Sequence, residues 1–116
     1  MKTVAQEEMI KRLETFAVPS FGFKSVARMN FRCTQVFRGV KLRDADLLEV
    51  GAGSGCFSAY AATRGARRVV AIEPEAAGSS EGVIGKLERV KADLGHPGFE
   101  TSTASLEEFD QGDRSF

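Results

Sequence analysis

DLLEVGAGSGCFSAYAATRGARRVVAIEP, residues 46–74, is the stretch that decides the fold of this chain. It begins with a short apolar run, turns on three glycines at alternate positions, and continues through an alanine-rich segment with helical character that ends at Gly65. A second apolar run follows and ends on Glu73 and Pro74. This order of strand, glycine turn, helix, strand and acid is typical of a βαβ unit that binds a nucleoside-bearing cofactor.

The composition is that of an ordinary globular protein, and it argues against several classes of function. The 116 residues are enough for one domain with a modest core, and 42% of them are hydrophobic. The 16 basic and 16 acidic residues give a net charge of zero, so nothing global favours nucleic acid or an anionic membrane as a partner. Cys33 and Cys56 have neither the spacing of a metal site nor that of a disulfide framework, and they fit a reducing compartment.

The targeting signals that would place the chain elsewhere are not recognisable in the sequence. The N-terminal run MKTVAQEEMIKRLE is too rich in charge for a signal peptide. No apolar run approaches the ~20 residues that are needed to span a bilayer. We therefore expect a cytoplasmic protein with no membrane partner.

Hydrophobic periodicity, together with the glycine and proline breaks, divides the chain into helices and strands. The predicted helices span 3–17, 23–38, 55–64 and 81–94, and the predicted strands span 46–50, 68–72 and 99–103. The β-α-β-α-β order predicts an α/β, Rossmann-like parallel sheet of about three strands in the spatial order 3-2-1. We expect two domains, an N-terminal helical segment over 1–43 and a partial Rossmann-like cofactor-binding domain over 44–116.

Three kinds of ligand compete for the glycine turn, because a glycine-rich loop that leads into a helix lets a ligand approach backbone N–H groups. A mononucleotide P-loop needs a lysine after the glycines, and none follows here. A dinucleotide fingerprint needs glycine or alanine at its third position, where this chain has Cys56, so that match is partial. What remains is one acid two residues before the glycines, Glu49, and a second acid after the next strand, Glu73.

Residues 49–55, which read EVGAGSG, together with Glu73, resemble motif I and the strand-two acid of the class I S-adenosylmethionine-dependent methyltransferases. The run GARRVVAIEP, residues 65–74, is similar to the approach to the second strand in that superfamily. The resemblance covers about residues 44–110. It implies a Rossmann-like methyltransferase whose cofactor is S-adenosyl-L-methionine.

The resemblance also implies a role for each matching residue. The glycine turn would line the methionine and sugar of the cofactor, Glu49 would meet its amino group, and Glu73 would accept hydrogen bonds from the two ribose hydroxyls. Ser105 and Leu106 stand where the family has an acidic residue and a small apolar one near the adenine, and serine departs from that pattern. The predicted cofactor-binding residues are Glu49, Gly51, Ala52, Gly53, Gly55, Glu73, Pro74, Ser105 and Leu106.

The residues alone leave alternatives open. Glu49 interrupts an apolar strand, so its burial demands a partner, and a structural ion pair would serve as well as a cofactor. The glycine turn also fits a dinucleotide-binding oxidoreductase domain, or a non-catalytic interaction module that keeps only the half-fold. No catalytic residue and no metal ligand is predicted, because in the resembled family the groups that act on the acceptor usually follow the fourth strand or come from lids and inserts.

The resemblance does not identify the methyl acceptor, which we expect to be a small molecule or a protein, since the neutral charge argues against nucleic acid. The family fold has about seven strands, and only three can be placed here. We therefore expect the chain to be a truncated product or a fragment, incomplete as an enzyme. The bare edge of the first strand would then favour self-association.

Overall fold

The computed structural model describes residues 2–73, 82–103 and 107. In these residues the chain forms helices and strands in the order that the sequence predicts. The helices are α1, Val4–Thr15; α2, Val26–Val36; α3, Cys56–Thr63; and α4, Val83–Leu94. The strands are β1, Asp46–Val50; β2, Arg68–Ile72; and β3, Phe99–Ser102. The predicted elements are confirmed, and their ends differ from the prediction by up to three residues.

Polar side chains fix where the two N-terminal helices begin. At α1 the Thr3 hydroxyl accepts a hydrogen bond from the Gln6 amide, and the Gln6 side chain accepts one from the Thr3 amide, both at 3.0 Å. α2 begins later than predicted because Ser25 is extended and its hydroxyl accepts a hydrogen bond from the Arg28 amide at 3.1 Å. Ser25 is therefore the N-cap of α2, and the helix cannot extend back to residue 23.

The three strands form one parallel sheet in the order β1-β2-β3, which confirms the predicted order 3-2-1. β1 and β2 pair in register along their whole length, starting with Asp46 opposite Arg68. Because the strands are parallel, their carboxyl ends lie at one edge of the sheet, where the Glu73 amide donates to the Ser102 carbonyl at 2.9 Å. In the described part of the chain β1 pairs only with β2 and lies at the side of the sheet.

The larger of two hydrophobic clusters joins the N-terminal helices to the βαβ unit. Val69 and Ala71 contribute to it from β2, and α1 contacts both α3 and α4. α2 contributes Met29 and Cys33, and both are fully buried. The helices before β1 therefore pack with the helices that follow it, and the glycine turn rests on a filled core.

The alternate residues of β2 belong to a second, smaller cluster. Val70 and Ile72 are fully buried, and Leu48 of β1 packs against them. β2 is thus apolar on both sides, as expected for the middle strand of a parallel sheet. Within 2–73 and 82–103, no helix combines the length and the apolar character that a membrane crossing requires.

Candidate cofactor site

The glycine turn leads from β1 into α3 at the carboxyl edge of the sheet. Gly51, Gly53 and Gly55 have φ angles of 72°, 59° and 89°, all in the left-handed region that favours glycine. The amides of Gly51 and Ala52 both donate to the Ile72 carbonyl, at 2.8 and 3.0 Å. The turn is therefore held to the end of β2, and its alternating glycines are required by the backbone.

The three glycines have different surroundings. A Cβ atom at Gly51 or Gly53 would meet no heavy atom within 4 Å, so a ligand could approach the backbone at both positions. A Cβ atom at Gly55 would instead overlap Cδ1 of Leu87 on α4. Gly55 is buried, and its small size lets the start of α3 pack against α4. The first two glycines thus leave the backbone open, whereas the third also serves packing.

The Glu73 carboxylate lies against the glycine turn. Its Oε1 accepts a hydrogen bond from the Gly53 amide at 2.6 Å, a short bond of the kind that a charged acceptor makes. In the described residues no second donor contacts this carboxylate. Glu73 is therefore positioned beside the turn with Oε2 left for a donor from outside these residues.

The Glu49 side chain reaches from β1 to α3. Its Oε1 accepts hydrogen bonds from the Ser58 amide at 3.2 Å and from the Ser58 hydroxyl at 2.5 Å. Burial raises the pKa of the Glu49 carboxyl, the two bonds from Ser58 oppose that rise, and the negative charge of Glu73 adds to it. The ion pairs of the described residues do not include Glu49, so the alternative of a structural ion pair is not what this part of the chain forms.

These contacts bring five of the predicted residues to one place, the carboxyl edge of the sheet. Two carboxylates flank a turn whose backbone is open at Gly51 and Gly53, and no cation of the described chain pairs with either carboxylate. Such an arrangement suits a ligand that carries a positive charge and hydroxyl donors. The five residues are Glu49, Gly51, Ala52, Gly53 and Glu73, and Gly55, the sixth predicted residue in the described part of the chain, ends the turn on the side packed against Leu87. Three others, Pro74, Ser105 and Leu106, lie outside the described residues.

Two residues at this site were missed by the sequence reasoning. Ser58 is fully buried and supplies both donors to Glu49, and its sequence signal is only a small polar residue in an alanine-rich helix. Leu87 sets the size limit at Gly55. Leu87 is one of the buried residues of α4, and hydrophobic periodicity predicts that helix without predicting which residue it will meet.

No family model and no curated protein matches the chain. Among solved structures, it is similar to the Escherichia coli protein described as "Putative methyltransferase yhhF", with a TM-score of 0.55 and 23% identity over 71% of this chain and 43% of that one. It is also similar to Thermoplasma acidophilum 1320, with a TM-score of 0.54 and 15% identity over 91% of this chain and 54% of that one. The chain spans about half the length of these structures.

These likenesses establish the class of fold. Together with the parallel sheet order, they show that the chain has the Rossmann-like, class I methyltransferase type of fold. The DhpI-SAH complex matches with a TM-score of 0.46 and 20% identity over 91% of this chain and 47% of that one, and so distant a likeness carries no argument about a ligand. The fold is thereby assigned, while the ligand has to be argued from the site itself.

Proposed function

We propose that this chain is the cofactor-binding portion of an S-adenosyl-L-methionine-dependent methyltransferase. The observation that carries the proposal is the pair of carboxylates, Glu49 and Glu73, which flank the glycine turn without a cationic partner in the described residues. Burial opposes the ionised form of Glu49, and a bound ammonium group would offset that cost. S-adenosyl-L-methionine carries such a group. It also carries two ribose hydroxyls that could donate hydrogen bonds to Glu73.

The glycine turn and the two carboxylates have different tasks in this proposal. Gly51, Ala52 and Gly53 line the methionine and sugar, because their backbone is approachable and a side chain at either glycine would fill the space. Glu49 meets the amino group, directly or through water, while Ser58 holds its carboxylate in place. Glu73 keeps the Gly53 amide on Oε1 and offers Oε2 to a ribose hydroxyl.

The remaining predicted contacts stay part of the proposal. Gly55 would contact the cofactor only through its peptide atoms, because Leu87 occupies the space next to its Cα. Pro74, Ser105 and Leu106 would complete the ribose and adenine contacts, as the resemblance implies, and they lie outside the described residues.

The chemistry proposed for the complete enzyme is transfer of a methyl group to an acceptor. The cofactor supplies an activated methyl group on a sulfonium, which is already a good leaving group. The residues described above bind and orient it, and an in-line displacement needs alignment more than it needs a specific acid or base. Catalytic residues are therefore not assigned. The acceptor is proposed to be a small molecule or a protein rather than nucleic acid.

The setting and assembly of the protein are further parts of this proposal. Two free cysteines fit a reducing, cytoplasmic setting. β1 lies at the side of the described sheet, and its outer edge is where a second copy of the chain would add. Light scattering across a concentration series measures that association directly, and a monodisperse monomer at all concentrations would remove it from the proposal.

Isothermal titration with S-adenosylhomocysteine tests the cofactor assignment. The folded protein should bind it, and Glu73→Ala should weaken binding by about tenfold or more, because it removes a charged hydrogen-bond acceptor. The matched control is Glu7→Ala, which removes an exposed carboxylate from α1 and should leave the affinity unchanged.

Two outcomes would overturn the assignment. One is a folded wild-type protein that does not bind, and the other is Glu73→Ala binding as tightly as the wild type. Far-UV circular dichroism checks that the variant folds, because Glu73 also holds the Gly53 amide. Retention of the protein on a nicotinamide-dinucleotide affinity resin, with no displacement by S-adenosylhomocysteine, would favour the dinucleotide-binding oxidoreductase alternative instead.

A further inference from the structure

Two cysteines that are distant in sequence lie side by side next to the glycine turn. The Sγ atoms of Cys33, on α2, and Cys56, the first residue of α3, are 3.7 Å apart and share a hydrogen bond. Both cysteines are free thiols. Neither has a role in the proposed cofactor site, and simple packing does not require two thiols to face each other.

The two thiols differ in exposure and in acidity. Cys33 is fully buried, whereas Cys56 is partly exposed. The hydrogen bond from Cys56 lowers the pKa of the Cys33 thiol against the opposing effect of burial, and the guanidinium groups of Arg64 and Arg32 lower it further. The same hydrogen bond raises the pKa of the Cys56 thiol, and burial raises that pKa further. A thiolate on one sulfur of the pair is therefore stabilised by a hydrogen bond from the thiol of the other.

We propose that Cys33 and Cys56 form an oxidation site, at which hydrogen peroxide or another small hydroperoxide converts the two thiols into an intramolecular disulfide. One sulfur of the pair, as a thiolate, attacks a peroxide oxygen, so that an S–O bond forms, the O–O bond breaks, and the leaving hydroxide (alkoxide, for an alkyl hydroperoxide) takes up a proton. The other sulfur then attacks the sulfenic sulfur. The S–S bond forms, the S–O bond breaks, and the hydroxide leaves as water with the proton of the second thiol.

The geometry favours this product over further oxidation of either sulfur. A disulfide requires the two sulfurs to approach from 3.7 Å to about 2.0 Å, so the pair starts within about 2 Å of bonding distance. Cys33 is fixed in the core, whereas Cys56 lies partly exposed at the first residue of its helix. Cys56 is therefore the residue that moves, and the sulfenic acid has the second thiol beside it before a second peroxide arrives.

Oxidation at this place acts on the neighbouring turn. The disulfide ties α2 to Cys56, the residue that follows Gly55. Gly55 itself lies against Leu87 of α4. A movement of Cys56 shifts Gly55, the residue before it, whose amide donates to the Ala52 carbonyl of the turn at 3.0 Å. This part rests on the proposed function: oxidation should weaken binding of S-adenosylhomocysteine by about threefold or more, a modest effect because Glu49 and Glu73 keep their own donors.

Intact mass spectrometry tests the oxidation site without reference to the cofactor. The reduced protein is treated with a small excess of hydrogen peroxide, quenched, and alkylated with iodoacetamide under denaturing conditions. The expected result is a monomer that has lost two hydrogen atoms and takes up no alkyl group, and that recovers two alkylatable thiols after dithiothreitol. Peptide mapping should place the link between Cys33 and Cys56.

The controls are Cys56→Ala and Cys33→Ala, which should gain oxygen or form dimers but no internal link. Two free thiols after treatment, or oxygen gain without a link in the wild-type protein, would overturn the proposal. The mass readout on the wild type stands even where a variant fails to fold. Titration of the oxidised and reduced forms with S-adenosylhomocysteine is a separate measurement: a disulfide without any cofactor binding would refute the proposed function and leave the oxidation site intact.

Discussion

The two ends of β1 hold carboxylates in opposite surroundings. At its start, Asp46 accepts two hydrogen bonds from the exposed Arg67 guanidinium, at 2.9 and 2.5 Å, and the hydrogen bond from Arg67 lowers the pKa of the Asp46 carboxyl. Near its end, Glu49 accepts only neutral donors from Ser58, and burial raises the pKa of the Glu49 carboxyl. One strand therefore carries one acid that its environment favours in the charged form and one that its environment opposes.

This difference separates structure from function along the strand. The pair of Asp46 and Arg67 is complete within the chain and needs nothing else. Glu49 is incomplete, because a neutral side chain of the same shape would accept the Ser58 hydrogen bonds without the cost of a partly buried charge. A charge kept where the fold alone does not benefit is typical of a binding site, in which a ligand supplies the missing partner.

The largest effect is expected from the glycine that belongs to the packing side of the turn. Gly55→Ala should lower the free energy of unfolding by about 3 kcal/mol, because its Cβ overlaps Leu87 and its φ angle is 89°. Gly51→Ala is the matched control: its φ angle is 72° and its Cβ meets nothing, so it should cost only about 1 kcal/mol of backbone strain.

The two glycine variants should rank in the opposite order for loss of ligand affinity. Gly51→Ala loses less stability than Gly55→Ala, yet relative to that loss it should lose more affinity. Urea unfolding gives the stabilities, and titration of the folded fraction with S-adenosylhomocysteine gives the affinities. Gly51→Ala should lose affinity although it stays folded, since its methyl group enters the space assigned to the cofactor. Equal stabilities for the two variants would contradict the division of the turn into an open part and a packed part.

A medium effect, of the opposite sign, is expected at Glu49. Glu49→Gln should raise the free energy of unfolding at neutral pH by about 1 kcal/mol and weaken binding of S-adenosylhomocysteine, because the amide keeps the Ser58 bonds and loses the charge. The folded state holds its proton more tightly than the unfolded state, so wild-type stability falls as pH rises from the ordinary carboxyl range through the raised pKa.

Urea titrations of wild type and Glu49→Gln at several pH values check this linkage. The gain in stability should be smallest below about pH 4, where the carboxyl is mostly protonated in both states, and largest near neutral pH. A variant that is less stable than the wild type at neutral pH, with unchanged affinity, would make Glu49 a structural acid after all.

The sequence predicts the element order, the sheet order and the location of the site, because these depend on periodicity and on residues that special backbone angles require. It does not predict the contacts between elements. The alternating glycines look equivalent in the sequence, yet only Gly55 meets a helix that begins at Val83. Likewise, Cys33 and Cys56 show no motif spacing, and their approach depends on how α2 crosses α3. Such facts depend on packing, which no local pattern encodes.

The smallest effect is expected at the acid that has its counter-ion. Asp46→Asn should destabilise the protein slightly at neutral pH, with no change in affinity for S-adenosylhomocysteine, because the pair with Arg67 is exposed and remote from the glycine turn. The folded pKa of Asp46 is lowered, so its contribution is present above the ordinary aspartate range and disappears as pH falls through the folded pKa. The loss should also shrink in about 1 M salt, which screens exposed charges.

The two acids of β1 are thus distinguished by the sign of the change in stability. Neutralising Asp46 lowers stability towards neutral pH, whereas neutralising Glu49 raises it. The same sign at both acids would remove the contrast between the two ends of the strand.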